Sequence, residues 1–180
     1  MIHRFGMFSI QHSGTRSLSQ MFIRAGFEYK RADEEAPETP HFLFEHITHL
    51  VYARLAYYMS QQVPVVMPIR HPYLVYNSQR TARRDIDAML HSWKWMLNIL
   101  WHNVILIPID IPEIRNQFML ELQPILGCKI PGDLMNKWPT INDYGNVNLK
   151  PEEVERVDPK LIKFCKEHEQ ELSMFYTFPD

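Results

Sequence analysis

Two groups of residues in this sequence have types and spacing that could bind an anion. The first is His12-Ser13-Gly14-Thr15-Arg16-Ser17. These small polar and basic residues follow a short apolar run with Phe5, Met7, Phe8 and Ile10. They lead into helical spacing at Leu18, Met21, Phe22 and Ala25. A loop between a strand and a helix N-terminus offers unpaired backbone N–H groups and the positive end of the helix dipole, which together hold phosphate or sulfate. Gly14 lets the backbone approach such an anion. Ser13, Thr15 and Ser17 add hydroxyl donors, and Arg16 and His12 add charge. An ordinary strand–helix turn capped by Ser13 or Thr15 uses the same residues. The second group is Arg70, at the end of the apolar run VPVVMPI, with Ser78 eight positions later. That places Ser78 two turns into the helix that begins at Pro72, close to the face of the helix start, so the pair could grip one phosphate from two sides. An arginine that pairs structurally and a merely exposed serine fit the spacing equally.

The elements that position these residues follow from the apolar pattern. The opening strand gives way to a helix over 15–25, stopped by Gly26, and then to a short strand at 27–30. RADEEAPETP at 31–40 is charged and proline-rich and reads as an exposed loop. FLF at 42–44 is a further apolar run, ending in Glu45-His46, and a helix is expected over 48–61. VPVVMPI at 63–69 is apolar throughout, as a central buried strand must be. Pro72 suits the first turn of a helix running to about 84. A tryptophan-rich helix at 86–101, a strand VILIPI at 104–109 ending at Asp110, and a helix at 112–126 stopped by Gly127 follow. Residues 128–150 read as mostly irregular, and 159–176 as one charged amphipathic helix.

Alternating strands and helices predict an α/β fold: a central, mostly parallel sheet flanked by helices in three layers. Ligands in such sheets bind beyond the carboxyl ends of the strands. The segments after Ile10, Phe44, Ile69 and Ile109 should therefore share one rim, carrying His12 to Ser17, Glu45, His46, Arg70 and Asp110.

Bulk properties narrow the function classes. With 180 residues, one domain over 1–180 is expected, long enough for a real core. The 46% hydrophobic content excludes a disordered chain. A formal net charge of −2 gives no general attraction to nucleic acid. The two cysteines, Cys128 and Cys165, have neither metal nor redox spacing, which fits a reduced compartment. No stretch reads as a signal peptide or membrane span, so a cytoplasmic protein is expected.

HSGTRSL at 12–18 resembles the loop that holds the 5′-phosphosulfate in the sulfotransferases. IRHPYLVYNS at 69–78 resembles their 3′-phosphate motif, in which a proline stands two residues after an arginine and a serine eight residues after it. HSWKWML at 91–97 before VILIPID at 104–110 is similar to the later part of that family's core. The likeness in order and spacing covers 4–127. It implies a P-loop-like fold, 3′-phosphoadenosine 5′-phosphosulfate (PAPS) as donor with no metal, and sulfuryl transfer to a hydroxyl or amine of a small-molecule or carbohydrate acceptor. It further implies that Ser13, Gly14, Thr15, Arg16 and Ser17 hold the 5′ end, and that Arg70 and Ser78 hold the 3′-phosphate. The base would come from FLFEH at 42–46, with His46 the first choice, Glu45 the second, and His41 and His49 further candidates. Three positions depart from the family pattern. His12 stands where the loop usually has lysine or arginine, so either imidazolium at His12 or the Arg16 guanidinium would meet the leaving oxygen. Ser9 replaces a glycine. The family's glycine-and-basic loop has no counterpart beyond Lys129.

Two other classes compete. A nucleoside-triphosphate-dependent small-molecule kinase would use the same loop, with Asp110 on magnesium. The sequence, however, lacks the G-x-x-x-x-G-K-[ST] lysine, and Asp110 also reads as a strand-end cap. A sulfotransferase-like module that binds nucleotide without turnover is the other. A metal site from His41, His46 and His49 has loose spacing and no fourth ligand. Tyr57, Tyr58, Tyr73 and Tyr76 would suit a sugar, a phenol or a core equally.

Overall fold

Phe5 and Met7 face one way from the first strand and Phe8 and Ile10 the other, and this alternation sets up two separate cores. The computed structural model describes residues 4–30, 41–46, 60–81, 85–99, 104–127, 129–136, 149–176 and 178. Five strands make one sheet: β1 (Arg4–Ser9), β2 (Glu28–Lys30), β3 (His41–His46), β4 (Val65–Ile69) and β5 (Val104–Pro108). Their order is β2-β3-β1-β4-β5, and every pair is parallel. The helices are α1 (Thr15–Arg24), α2 (Pro72–Thr81), α3 (Ile86–Ile99), α4 (Pro112–Leu126), α5 (Gly132–Asn136), α6 (Pro159–Glu167) and α7 (Glu169–Leu172).

On one face, Phe5, Met7, Val66 and Ile107 pack against Leu18, Met21 and Phe22 of α1 and Met119, Leu122 and Leu126 of α4. On the other, Phe8, Ile10, Val65, Met67 and Ile69 pack against α2, against Trp93 and Met96 of α3, and against Leu161 and Phe164 of α6. The expected three-layer α/β fold is therefore present. β4 is buried along its whole length and sits between β1 and β5, as its unbroken apolar run requires.

This layering locates the site. The chain leaves β1 for α1 on one face and leaves β4 for α2 on the other. β1 and β4 are neighbours. Their outgoing segments therefore diverge and open a crevice at the carboxyl rim, the switch point where such sheets bind ligands.

Some boundaries differ from the sequence reading. β3 continues through Glu45 and His46, because its pairing with β1 persists to Ser9. The expected single helix at 159–176 is two. His168, at φ −117° and ψ 25°, leaves helical geometry and starts the short α7. Within 128–150, residues 132–136 are helical. Gly26, at φ 95°, and Gly127, at φ 64°, end their helices in the left-handed conformation that glycine adopts without penalty. The expected loop at 31–40, the helix at 48–61 apart from its end, and Trp101 lie outside the described residues.

Candidate functional site

Helix α1 begins without a side-chain cap. Its N-cap residue is Gly14, at φ 84° and ψ 16°, and neither Ser13 nor Thr15 caps it. The first bond into the helix runs from the Leu18 N–H to the Gly14 carbonyl at 3.1 Å. The amides of Thr15, Arg16 and Ser17 thus precede all intrahelical acceptors. The alternative of a turn capped by Ser13 or Thr15 is not what forms. The hydroxyls are turned inward instead. Ser13 donates to the Ile10 carbonyl, and Ser9 donates to Thr15 Oγ1 at 3.2 Å. Both serines are fully buried, so the loop is braced from within, and the amides of Thr15, Arg16 and Ser17 remain as donors it can offer.

Gly14 has a second role that the sequence did not show. A Cβ there would lie 2.7 Å from Cγ2 of Ile109, just beyond β5. The loop therefore rests on the residue just after β5, two strands away in the sheet from β1. Gly14→Ala combines a left-handed backbone with this overlap and should cost about 1–3 kcal/mol of stability. Urea denaturation checks the value, and an unchanged midpoint would show that the loop relaxes freely.

The loop's other support comes from α2. His12, itself at φ 67°, is hydrogen-bonded through Nδ1 to the Ser78 hydroxyl at 2.9 Å. From the next residue of α2, Gln79 Nε2 donates to the Gln11 carbonyl at 3.0 Å. Ser78 and Gln79 are both buried. The two motifs read from the sequence thus meet directly, across a separation of 66 residues. Ser78 is not the merely exposed serine that the spacing also allowed.

Arg70, half-buried, stands at the carboxyl end of β4 between two fixed peptide groups. On one side the Ile69 carbonyl accepts from the Ile109 N–H at 2.9 Å. On the other, the His71 N–H donates to Asp110 Oδ2 at 2.7 Å. The second oxygen of Asp110 accepts from the Tyr176 hydroxyl at 3.1 Å. Burial pushes the Asp110 carboxyl up from its ordinary value, while the His71 N–H, the Tyr176 hydroxyl and the Arg70 charge pull it part of the way back. Burial and the nearby Asp110 charge raise the Tyr176 hydroxyl well above its ordinary value, so it stays a donor. The His71 ring accepts the Tyr73 N–H at 3.1 Å at the start of α2 and packs against Tyr176 and Phe178.

The structure therefore brings His12, Ser13, Gly14, Thr15, Arg16, Ser17, Ser78 and Arg70 to one crevice. Arg16 is exposed and Ser17 half-buried, at the first turn of α1. Cα pairing sets His46 beside Ser9 and Glu45 beside Phe8, so both backbones reach the same rim. The side chains of Glu45 and His46, and also His49, Tyr57, Tyr58, Arg83, Arg84 and Cys128, lie outside the described residues. Cys165 lies on the buried face of α6, where burial pushes its thiol up to about 12 and keeps it protonated. No group of histidine, cysteine and carboxylate side chains suited to a metal occurs among the described residues. No helix among them is long and apolar enough to cross a membrane.

Sequence reasoning missed His71, Gln79 and Tyr176. His71 stood in the motif between Arg70 and Pro72, which could have marked it. Tyr176 carries no local signal, because its partner Asp110 is 66 residues away.

No family model matches the sequence, and no curated protein matches it. Solved structures do. Among them is the crystal structure of mouse sulfotransferase SULT7A1 complexed with PAP, with a TM-score of 0.59 and 12% sequence identity, covering 96% of this chain and 84% of that one. At that identity the likeness shows the fold: the chain has the α/β fold of a P-loop-like sulfotransferase.

Proposed function

We propose that this protein is a sulfotransferase that takes a sulfuryl group from PAPS and passes it to a hydroxyl or amine of a small-molecule or carbohydrate acceptor. The observation that carries the reading is the His12–Ser78 hydrogen bond, which joins an uncapped helix N-terminus to the helix that follows Arg70. It supports a reading in which donors for two separate anionic groups serve one ligand, as a nucleotide phosphorylated at both its 5′ and 3′ positions requires. A sulfotransferase solved with PAP has the same fold, which supports the choice of nucleotide.

In this reading the amides of Thr15, Arg16 and Ser17 and the start of the α1 dipole hold the 5′ end. His12, or Arg16 beside it, supplies charge at the oxygen that leaves. Arg70, with Ser78, holds the 3′-phosphate. His46, or failing it Glu45, removes the acceptor proton. The assignment asks for no metal.

The kinase alternative asks Asp110 to hold magnesium. Each Asp110 oxygen already accepts from a protein donor, the His71 N–H on one and the Tyr176 hydroxyl on the other, so a metal there would compete with both. Calorimetric titration with adenosine 3′,5′-bisphosphate, beside ATP with magnesium, tests the proposal. Tight binding of the bisphosphate and weak binding of ATP are expected. The opposite order would favour the kinase. Bisphosphate binding with no transfer to any acceptor would leave a nucleotide-binding module.

A further inference from the structure

Resting on that reading of the nucleotide, we infer that Tyr176 is a positioning residue for the 3′-phosphate grip: it holds Asp110, and Asp110 holds the peptide group that orients Arg70.

An arginine at a strand end is fixed by its backbone neighbours. Its Cα is set by the peptide planes on either side. The plane before Arg70 is held by the Ile109 N–H on the Ile69 carbonyl. The plane after it carries the His71 N–H, and Asp110 Oδ2 accepts that group at 2.7 Å. Both constraints come from the two residues immediately beyond β5. A carboxylate with one oxygen committed can still rotate about its terminal torsion, which is broad. The Tyr176 hydroxyl on Oδ1, at 3.1 Å, removes that freedom.

Tyr176 is itself well held. It is 5% exposed, and its ring meets the His71 ring edge-on at a centroid separation of 5.1 Å. Its N–H donates to the Leu172 carbonyl at the end of α7. Phe178 continues the contact, 4.9 Å from the His71 ring and 5.9 Å from that of Tyr73. Tyr176 and Phe178 therefore pack over the His71–Tyr73 corner, although neither belongs to a sequence that resembles a nucleotide motif. The Arg70 charge acts on both Asp110 and Tyr176, which puts the three groups in one local field. Groups held in that way serve precision at the anion, since a small displacement of a positioned donor loses much of its effect.

The test compares two ligands that differ only in the 3′-phosphate: adenosine 3′,5′-bisphosphate and adenosine 5′-phosphate. Tyr176→Phe should weaken the bisphosphate by roughly three- to tenfold. Affinity for the 5′-phosphate should stay within about twofold, so the selectivity ratio falls. Phe178→Ala removes only ring packing and is the second variant, expected to move the ratio in the same direction. It keeps the inference exposed to test if Tyr176→Phe does not fold. An unchanged ratio, or equal weakening of both ligands, would overturn the inference and leave Tyr176 a structural residue. A wild-type protein that does not prefer the bisphosphate would instead overturn the donor reading, and this inference with it.

Discussion

Arg70→Ala is expected to weaken binding of adenosine 3′,5′-bisphosphate by roughly 30- to 160-fold, the loss that follows from about 2–3 kcal/mol for a charge-assisted contact to phosphate. The reasoning begins with placement. Arg70 is half-buried at the mouth of the crevice between β1 and β4, and both adjoining peptide groups are fixed by the end of β5. A guanidinium presented from a rigid corner loses little freedom on binding, so most of its attraction appears as affinity. The same substitution should leave adenosine 5′-phosphate nearly unaffected, because that ligand lacks the group Arg70 is assigned to hold. Arg70→Lys should recover part of the loss, since lysine supplies the charge without the planar fork. Calorimetry on the two ligands checks all three statements. Retained affinity for the bisphosphate in Arg70→Ala would undo the assignment.

The second large effect is on turnover. His46→Ala should lower kcat by about 10²- to 10⁴-fold, the usual contribution of a general base. Donor affinity should remain within about threefold, because a base that acts on the acceptor contributes little to nucleotide binding. The structural ground is the register. His46 is the last residue of β3 and pairs with Ser9, the last residue of β1, from which the anion loop departs. In a parallel sheet both strand ends reach the same rim, and there a proton acceptor can meet an acceptor hydroxyl beside the donor. Glu45 is one residue earlier, beside Phe8. Glu45→Gln is therefore the paired variant. If Glu45→Gln loses turnover and His46→Ala keeps it, the base is Glu45. If neither variant changes kcat, the FLFEH segment does not supply the base.

The comparison between sequence and structure is instructive at particular residues. The unbroken apolar run at 63–69 could only be an interior strand, and β4 is buried along its length between two neighbours. The alternation of strand and helix lengths gave the parallel α/β layering, since parallel strands need long crossovers. The end of a helix at a left-handed glycine was legible at Gly26 and Gly127, because only local backbone geometry is involved. The break at His168 was not legible. Its amphipathic pattern continues across the break, and the residue leaves helical geometry without a proline or glycine to signal it.

Within the site, local chemistry and long-range packing separate cleanly. The sequence by itself determined the candidate anion loop at 12–17, the Arg70–Ser78 spacing, and their placement at strand ends, because residue type, apolar period and chain polarity all act over a few neighbours. Only the tertiary structure decided that Ser78 meets His12, that Ile109 leaves no room for a Cβ at Gly14, and that Asp110 is committed to His71 and Tyr176. Each of these joins residues distant in sequence, and no local preference encodes such a pairing. It arises when burying the two faces of one sheet forces particular loop ends together, and the polar groups caught there must find partners in each other.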